Sequence, residues 1–307
     1  MGCIILLAIL WLIQGNPIAI TIDWQHLIPS WHNSQSWISL TAIMTSFLGM
    51  ELAAVHVRNI DNPQKNFPRA IFVSVILILT TMILGSLAIA LVLPQHEIGL
   101  VNGVMQAFTN FFSAYNLTFM MPIIVIMILL GSVGSLVNWI ISPAKGLLLA
   151  ADNGFLPHWL YRLNKHNIAS RILILQAILV TLFCGSFTLF PTINAIYWLF
   201  TALSTEIYIM MYVIMFVAAI YSKSKFKEKK RLFAVPGGKK GYYLTCFLGI
   251  LGCIITLIIG FFPPQQSMNL GGVNHFRIIF GSGIIIMLLP ALYFIIKRNY
   301  YRKIIKY

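Results

Sequence analysis

Acidic residues are nearly missing from this chain: Asp and Glu together number 7 in 307 positions, and charged residues of all types make up 9%. So little charge, beside 59% hydrophobic residues and a mean hydropathy of +0.86, excludes an ordinary soluble domain. Cysteine is scarce too. Cys3, Cys184, Cys246 and Cys253 lie in apolar surroundings with no C-x-x-C and no Cys/His spacing, which excludes a sequence-readable metal or redox centre and leaves them as small apolar residues. H-E-x-x-H, paired aspartates within apolar runs and G-x-S-x-G are all absent, so no hydrolytic constellation is present and the chain does not read as an enzyme. The histidines (His26, His32, His56, His96, His158, His166 and His275) are scattered, and no cofactor or metal is expected. The formal charge of +14 does not indicate a nucleic-acid partner, because the basic residues fall between apolar runs rather than on one basic face.

What is present is a series of long apolar runs. A helix crossing about 30 Å of hydrocarbon needs roughly 20 apolar residues. That rule predicts spans near 1–22, 37–57, 69–93, 119–150, 171–190, 193–221, 242–262 and 274–296: an all-α, polytopic membrane helix bundle of about eight spans, forming one transmembrane domain over 1–307. The opening MGCIILLAILWLIQGNPIAITI has neither a basic n-region nor a small-x-small cleavage site, so it reads as an abruptly starting span and not a signal peptide.

Lys and Arg set the expected orientation. Arg58, Lys65 and Arg69, then Arg162, Lys165 and Arg171, then the run from Lys223 to Lys240, and last the tail from Lys297 to Lys306, all fall on one side of the spans. The alternate connections, 23–36, 94–118, the turn at Pro191 and 263–274, contain no Lys or Arg, which places both termini in the cytoplasm. The run KSKFKEKKRLFAVPGGKKG reads as a solvated inside loop, with anionic lipid headgroups as the weaker reading. Within 94–118, Val101, Val104, Met105, Phe108, Phe111 and Phe112 recur at helical spacing, which suits either an amphipathic helix at the outer interface or a packed loop. Trp24, Trp31, Trp37, Trp159 and Trp198 lie near predicted span ends and fit interfacial belts.

Three ionisable residues stand within or at the edge of spans. A carboxylate in hydrocarbon costs about 3 kcal/mol on insertion scales, so such a group faces a cavity, a partner or a substrate path. Glu51 follows Gly49, where a helix can unwind, inside SFLGMELAAVHVRNIDNPQKNFPRA; it reads as a functional carboxylate or as one satisfied by helix amides or hydroxyls. Glu206, near the middle of the sixth predicted span, reads as a proton-coupling group or as one paired with a polar neighbour on an adjacent helix. Lys145, near the cytoplasmic end of the fourth span, reads as a snorkelling lysine before it reads as a path residue. In LLGSVGSLVNW, Gly131, Gly134 and Ser135 would let a neighbouring helix approach. Asn138 and Ser142 lie on or near that side and are candidates for lining a path.

Taken in order, FLGMELAAVHVRNIDNPQKNFPRA, GVMQAF, NWIISPAKGLLLAADNGFLP, FAVPGGKKG and GFFPP resemble the amino acid-polyamine-organocation permeases, and within them the glutamate/GABA antiporter branch. The resemblance covers nearly the whole chain. It implies a LeuT-type transporter of twelve spans with two inverted five-helix repeats, whose broken first and sixth helices hold the substrate at mid-membrane. This chain is then similar to spans five to twelve, without the first four. The resemblance further implies that Gly49–Glu51 is the break of helix six, that Ser46, Phe47, Leu48, Gly49, Met50 and Glu51 form half of a substrate site, and that Glu206 departs from a usually neutral position. The activity implied is amino acid transport by alternating access, as amino acid/amine exchange, in a bacterial cell membrane. Partners would be an amino acid substrate, the lipid bilayer, protons, and a separate N-terminal half; the alternative is a truncated, non-transporting membrane remnant or one half of a split transporter.

Overall fold

The apolar runs fold into helices whose ends are set by proline, asparagine and glycine. The computed structural model describes residues 1–20, 43–94, 97–99, 102–185, 188, 193–225, 235–262 and 272–305. Among them the α-helices are α1 (Gly2–Ile13), α2 (Pro63–Val92), α3 (Gly103–Ala114), α4 (Met121–Asp152), α5 (His158–Tyr161), α6 (Ser170–Gly185), α7 (Ile193–Lys225), α8 (Gly238–Ile259) and α9 (Val273–Ile305). Between α1 and α2 lies a broken segment with a helical turn at 43–46 and a 3-10 helix over Met50–Asn59. The protein is all-α and polytopic. Five helices, at Pro63–Val92, Thr118–Asp152, Ile196–Lys225, Gly238–Ile259 and Val273–Lys297, are long and apolar enough to cross a membrane. Three shorter apolar helices lie at Gly2–Ile13, Ile43–Val57 and Ser170–Gly185.

Several boundaries differ from the sequence expectation. The first helix ends at Ile13, capped at Gln14 and followed by Gly15 at φ 69°, so its 12 residues reach only about 18 Å, short of a full crossing. The stretch NPQKNFPRA, expected as a polar turn after 37–57, is mostly helix. Asn62 takes the left-handed conformation at φ 47°, Pro63 starts α2 where its missing N–H costs nothing, and Lys65 N–H bonds the Asn62 carbonyl at 3.0 Å. The basic tail continues α9 to Ile305. Trp24, Trp31, Trp37, His26, His32, His96, Val101, Pro191 and residues 226–234 of the basic run lie outside the described residues.

The chain divides into two compact units. The first comprises Met1–Pro29 and Asn66–Trp139. Its core joins Ile4, Leu7 and Ala8 of α1 to Ala88 and Leu91 of α2 and to Phe108, Phe111 and Phe112 of α3. The apolar face of α3 is therefore spent on α1 and α2, which is the packed reading of that connection. Trp11 meets Phe111 edge-on at 5.6 Å and donates its indole N–H to the Pro17 carbonyl at 3.0 Å.

The second unit comprises Ser30–Lys65 and Ile140–Tyr307. One cluster surrounds α5, with Ala151, Leu156, Leu160 and Ile172; another joins Leu199 and Leu203 of α7 to Phe276, Phe280 and Ile284 of α9. The second depends on a bare backbone. A Cβ at Gly283 would come within 2.9 Å of Leu203. Glycine likewise lets α8 approach α7, where Phe216 rests on Gly249 and Glu206 on Gly260. Lys223 and Lys225 fall in the last turn of α7, where cations complement the helix dipole.

Candidate functional site

The site begins with a broken backbone. After the helical turn at 43–46, Phe47 and Leu48 N–H bond the carbonyls of Met44 and Thr45 at 3.1 Å each, so the chain tightens to three-residue spacing before it breaks. Gly49 stands at φ 90°, ψ −1°, a left-handed conformation that an L side chain rarely adopts. Met50 then opens a ten-residue 3-10 helix, unusual in length because runs beyond three or four residues are uncommon. The sequence places the unwinding at Gly49, and there the structure breaks. A helix start leaves its first N–H groups without intrahelical acceptors, and these suit an anion.

One face of α7 holds this segment on both sides of the break. Thr45 Oγ1 and Thr205 Oγ1 are 2.7 Å apart; since Thr205 also donates to the Thr201 carbonyl at 2.7 Å, Thr45 is the donor between them. Beyond the break, Tyr212 donates its hydroxyl to Glu51 Oε2, and the Gly49 backbone bonds the same hydroxyl. Thr205, Tyr208 and Tyr212 lie three and four residues apart and so form one stripe, about 10 Å long from Thr205 to Tyr212. The Tyr208 and Tyr212 rings are 6.4 Å apart. Sequence reasoning missed both tyrosines. The T-x-x-Y-x-x-x-Y spacing carried the signal, inside a run that reads as apolar filling.

Glu51 is half-satisfied: its Oε1 is buried and has no hydrogen-bond partner among the described residues. Ser46 turns its hydroxyl back to the Ile43 carbonyl, leaving the freed backbone around Gly49 as the polar surface of the break. Glu206 is not part of this cluster. It is fully buried on another face of α7, against Gly260, and neither of its oxygens has a hydrogen-bond partner among the described residues, so the reading that paired it with a polar neighbour finds no such neighbour there.

The remaining candidates lie on α4. Lys145 Nζ lies 3.5 Å from His56 Nδ1, near the far end of the 3-10 helix; Lys145 is exposed and His56 half-buried. Asn138 is exposed, whereas Ser142 is buried. A Cβ at Gly131 or Gly134 would meet nothing within 4 Å, so among the described residues no helix packs there, contrary to the close approach those glycines suggested. No group of three or more His, Cys, Asp or Glu among the described residues is placed to hold a metal ion.

A family model described as "Amino acid permease" matches residues 1–290. An uncharacterised transporter of Legionella pneumophila is 36% identical over 263 residues, covering 86% of this chain and 56% of that protein. A glutamate/gamma-aminobutyrate antiporter of Lactococcus lactis is 29% identical over 287 residues, covering 92% of this chain and 57% of the antiporter. A probable agmatine/putrescine antiporter of the same species is 24% identical over 243 residues, covering 78% and 51%. The chain therefore spans about half the length of these relatives.

Proposed function

The chain belongs to the amino acid permease family, and from that premise we propose that it takes part in secondary transport of amino acids, exchanging an amino acid for an amine or related amino acid by alternating access. One observation carries this reading. The helix break at Gly49 is followed at once by a carboxylate that Tyr212 holds by one oxygen only. Backbone groups released over Ser46–Met50 suit the two ends of an amino acid: N–H groups at the start of the 3-10 helix for its carboxylate, carbonyl oxygens before the break for its ammonium. The binding residues in this reading are Ser46, Phe47, Leu48, Gly49, Met50 and Glu51, with Tyr212 as the group that positions Glu51.

Glu51 also sets substrate charge. As an anion it favours a cationic group and repels a second carboxylate; with a proton bound it tolerates an acidic side chain. Protons are therefore proposed as a coupled partner. The membrane is a bacterial cell membrane in this reading, with both termini cytoplasmic as the Lys and Arg distribution favours. Residues of the carrier equivalent to the unmatched part of the relatives, on this chain or a separate one, would supply the facing wall of the site.

The test is exchange in proteoliposomes preloaded with gamma-aminobutyrate, measuring entry of radiolabelled glutamate at acidic and neutral pH. This chain is compared with one extended at its N-terminus by the corresponding portion of the Lactococcus lactis antiporter. Exchange by the extended form supports the proposal; no exchange by either form at either pH overturns it.

A further inference from the structure

Glu206 follows Thr205 on α7 and so lies about 100° around the helix from the face that holds the broken segment. Its side chain is 0% exposed, and what it touches is Gly260, the cap of α8. A Cβ at Gly260 would collide with Glu206 Oε1, so the carboxyl fills the place that any other residue's side chain would take. Nearby hydroxyls are committed elsewhere. Thr205 donates to the Thr201 carbonyl, and the fully buried Thr256 donates to the Gly252 carbonyl at 2.9 Å.

The other titratable and charged groups on the surrounding elements are few. On α7, Tyr212 turns to Glu51 and Tyr208 lies within its field. On the broken segment stand Glu51 and His56. On α8, Cys253 and Cys246 precede Gly260 by about two and about four turns, and Tyr242, Tyr243, Lys239 and Lys240 lie at the helix's other end. On α9, Arg277 donates its Nε to the Phe261 carbonyl at 3.4 Å and lies 5.6 Å from the Phe262 ring, while His275 is exposed. Arg277 is thus anchored one residue beyond Gly260, yet no bond joins it to Glu206.

We propose that Glu206 is a proton-binding site distinct from Glu51, closed in this conformation by Gly260 and opened when the end of α8 separates from α7. An ionised carboxylate without a donor is among the most expensive groups to enclose away from water, whereas a protonated carboxyl can rest against a bare glycine. Release of the proton therefore requires either separation at Gly260 or a new partner, and a cation anchored one residue beyond that contact is Arg277. A proton that binds the closed and open arrangements unequally shifts the balance between them. Coupling to substrate movement rests on the transport reading above; proton binding at Glu206 does not.

The experiment is infrared difference spectroscopy, acid minus alkaline, on the purified chain in lipid nanodiscs. The native chain is compared with Glu206→Gln and Gly260→Ala. The expected result is a buried carboxylic-acid C=O band in the native chain, lost in Glu206→Gln and displaced in frequency or pH midpoint in Gly260→Ala. Identical spectra for the native chain and Glu206→Gln overturn the proposal. If Glu206→Gln does not yield monodisperse protein, Gly260→Ala decides: a displaced band supports the site and an unmoved one sinks it. Exchange measurements separate the two ideas. A Glu206-dependent band without exchange in the extended form removes the transport reading alone; exchange with no such band removes the proton site alone.

Discussion

Tyr212 and Glu51, 161 residues apart in the chain, are joined by one hydrogen bond from the phenol to Oε2, and the second carboxylate oxygen has no partner among the described residues. Together with Thr45 and Thr205, this bond fixes the broken segment to α7 on both sides of Gly49. A break held at two points is a defined gap in the helix and not a frayed end. In the proposed reading, the unpaired oxygen takes a further donor, such as a substrate ammonium or a proton.

Replacing Tyr212 by Phe removes the donor and leaves a buried carboxylate with both oxygens unpaired. Hydrogen bonds between membrane helices contribute about 0.6–1.7 kcal/mol, and stranding a buried acceptor costs about 1–3 kcal/mol. Thermal unfolding of Tyr212→Phe in detergent should therefore show a loss of about 1–2 kcal/mol, and exchange in the extended form should weaken about tenfold or more for each ~1.4 kcal/mol lost from binding. Glu51→Gln with Tyr212→Phe should cost less than the sum of the single changes, because the two groups share one bond. Strict additivity would show that the bond carries no energy.

Glu51→Gln fixes the position in a neutral state. In the proposed reading a charged Glu51 repels the substrate's second carboxylate and exchange is proton-coupled through this group, so the neutral variant should take glutamate more readily relative to glutamine and show a flattened pH profile. Initial exchange rates across acidic to neutral pH, in the extended form, measure this. A profile unchanged by Glu51→Gln would move the proton dependence elsewhere, with Glu206 the first residue to examine.

Gly49→Ala places a Cβ on a backbone at φ 90°. A non-glycine residue in that region costs about 1–3 kcal/mol, so the variant either destabilises the chain or drives the segment toward a continuous helix that closes the gap. Both outcomes lower exchange. Cysteine-accessibility labelling at Leu48 distinguishes them, since a continuous helix hides the backbone turn while a strained break leaves it open. Full exchange together with native stability would show that the left-handed turn is dispensable.

Much of this architecture was legible because lipid imposes a simple rule on sequence: helices must be long and apolar, and exceptions stand out. Glu51, Gly49 and Glu206 were visible for that reason, as were the long helices from Pro63, Met121, Gly238 and Val273 onward. The helix starts were harder to read. Pro63 and Pro68 look like loop residues, yet an N-terminal proline is compatible with helix, and α2 absorbs both. Tyr208 and Tyr212 were illegible as site residues because aromatic side chains in an apolar run have the same composition whether they fill space or hold a carboxylate. The difference lies in which face of α7 meets the broken segment, a long-range fact that no local pattern contains. The same holds for Gly131 and Gly249, which read alike and pack differently.

Gly131 and Gly249 offer a controlled comparison of that last point. A Cβ at Gly131 meets nothing within 4 Å, whereas at Gly249 it would run into the Phe216 ring. Alanine is favoured over glycine in a helix by about 1 kcal/mol, so Gly131→Ala should leave this chain equally stable or slightly more so. Gly249→Ala gains the same amount but must displace Phe216, and overpacking of that kind costs about 1–3 kcal/mol, giving a net loss. Phe216→Leu alone also destabilises by removing ring contacts. Combined with Gly249→Ala it should recover part of the loss, with a coupling of at least ~0.5 kcal/mol. Unfolding midpoints of the four chains in detergent measure the cycle; zero coupling would mean that Phe216 does not rest on Gly249 in the α7–α8 packing on which the Glu206–Gly260 contact also depends.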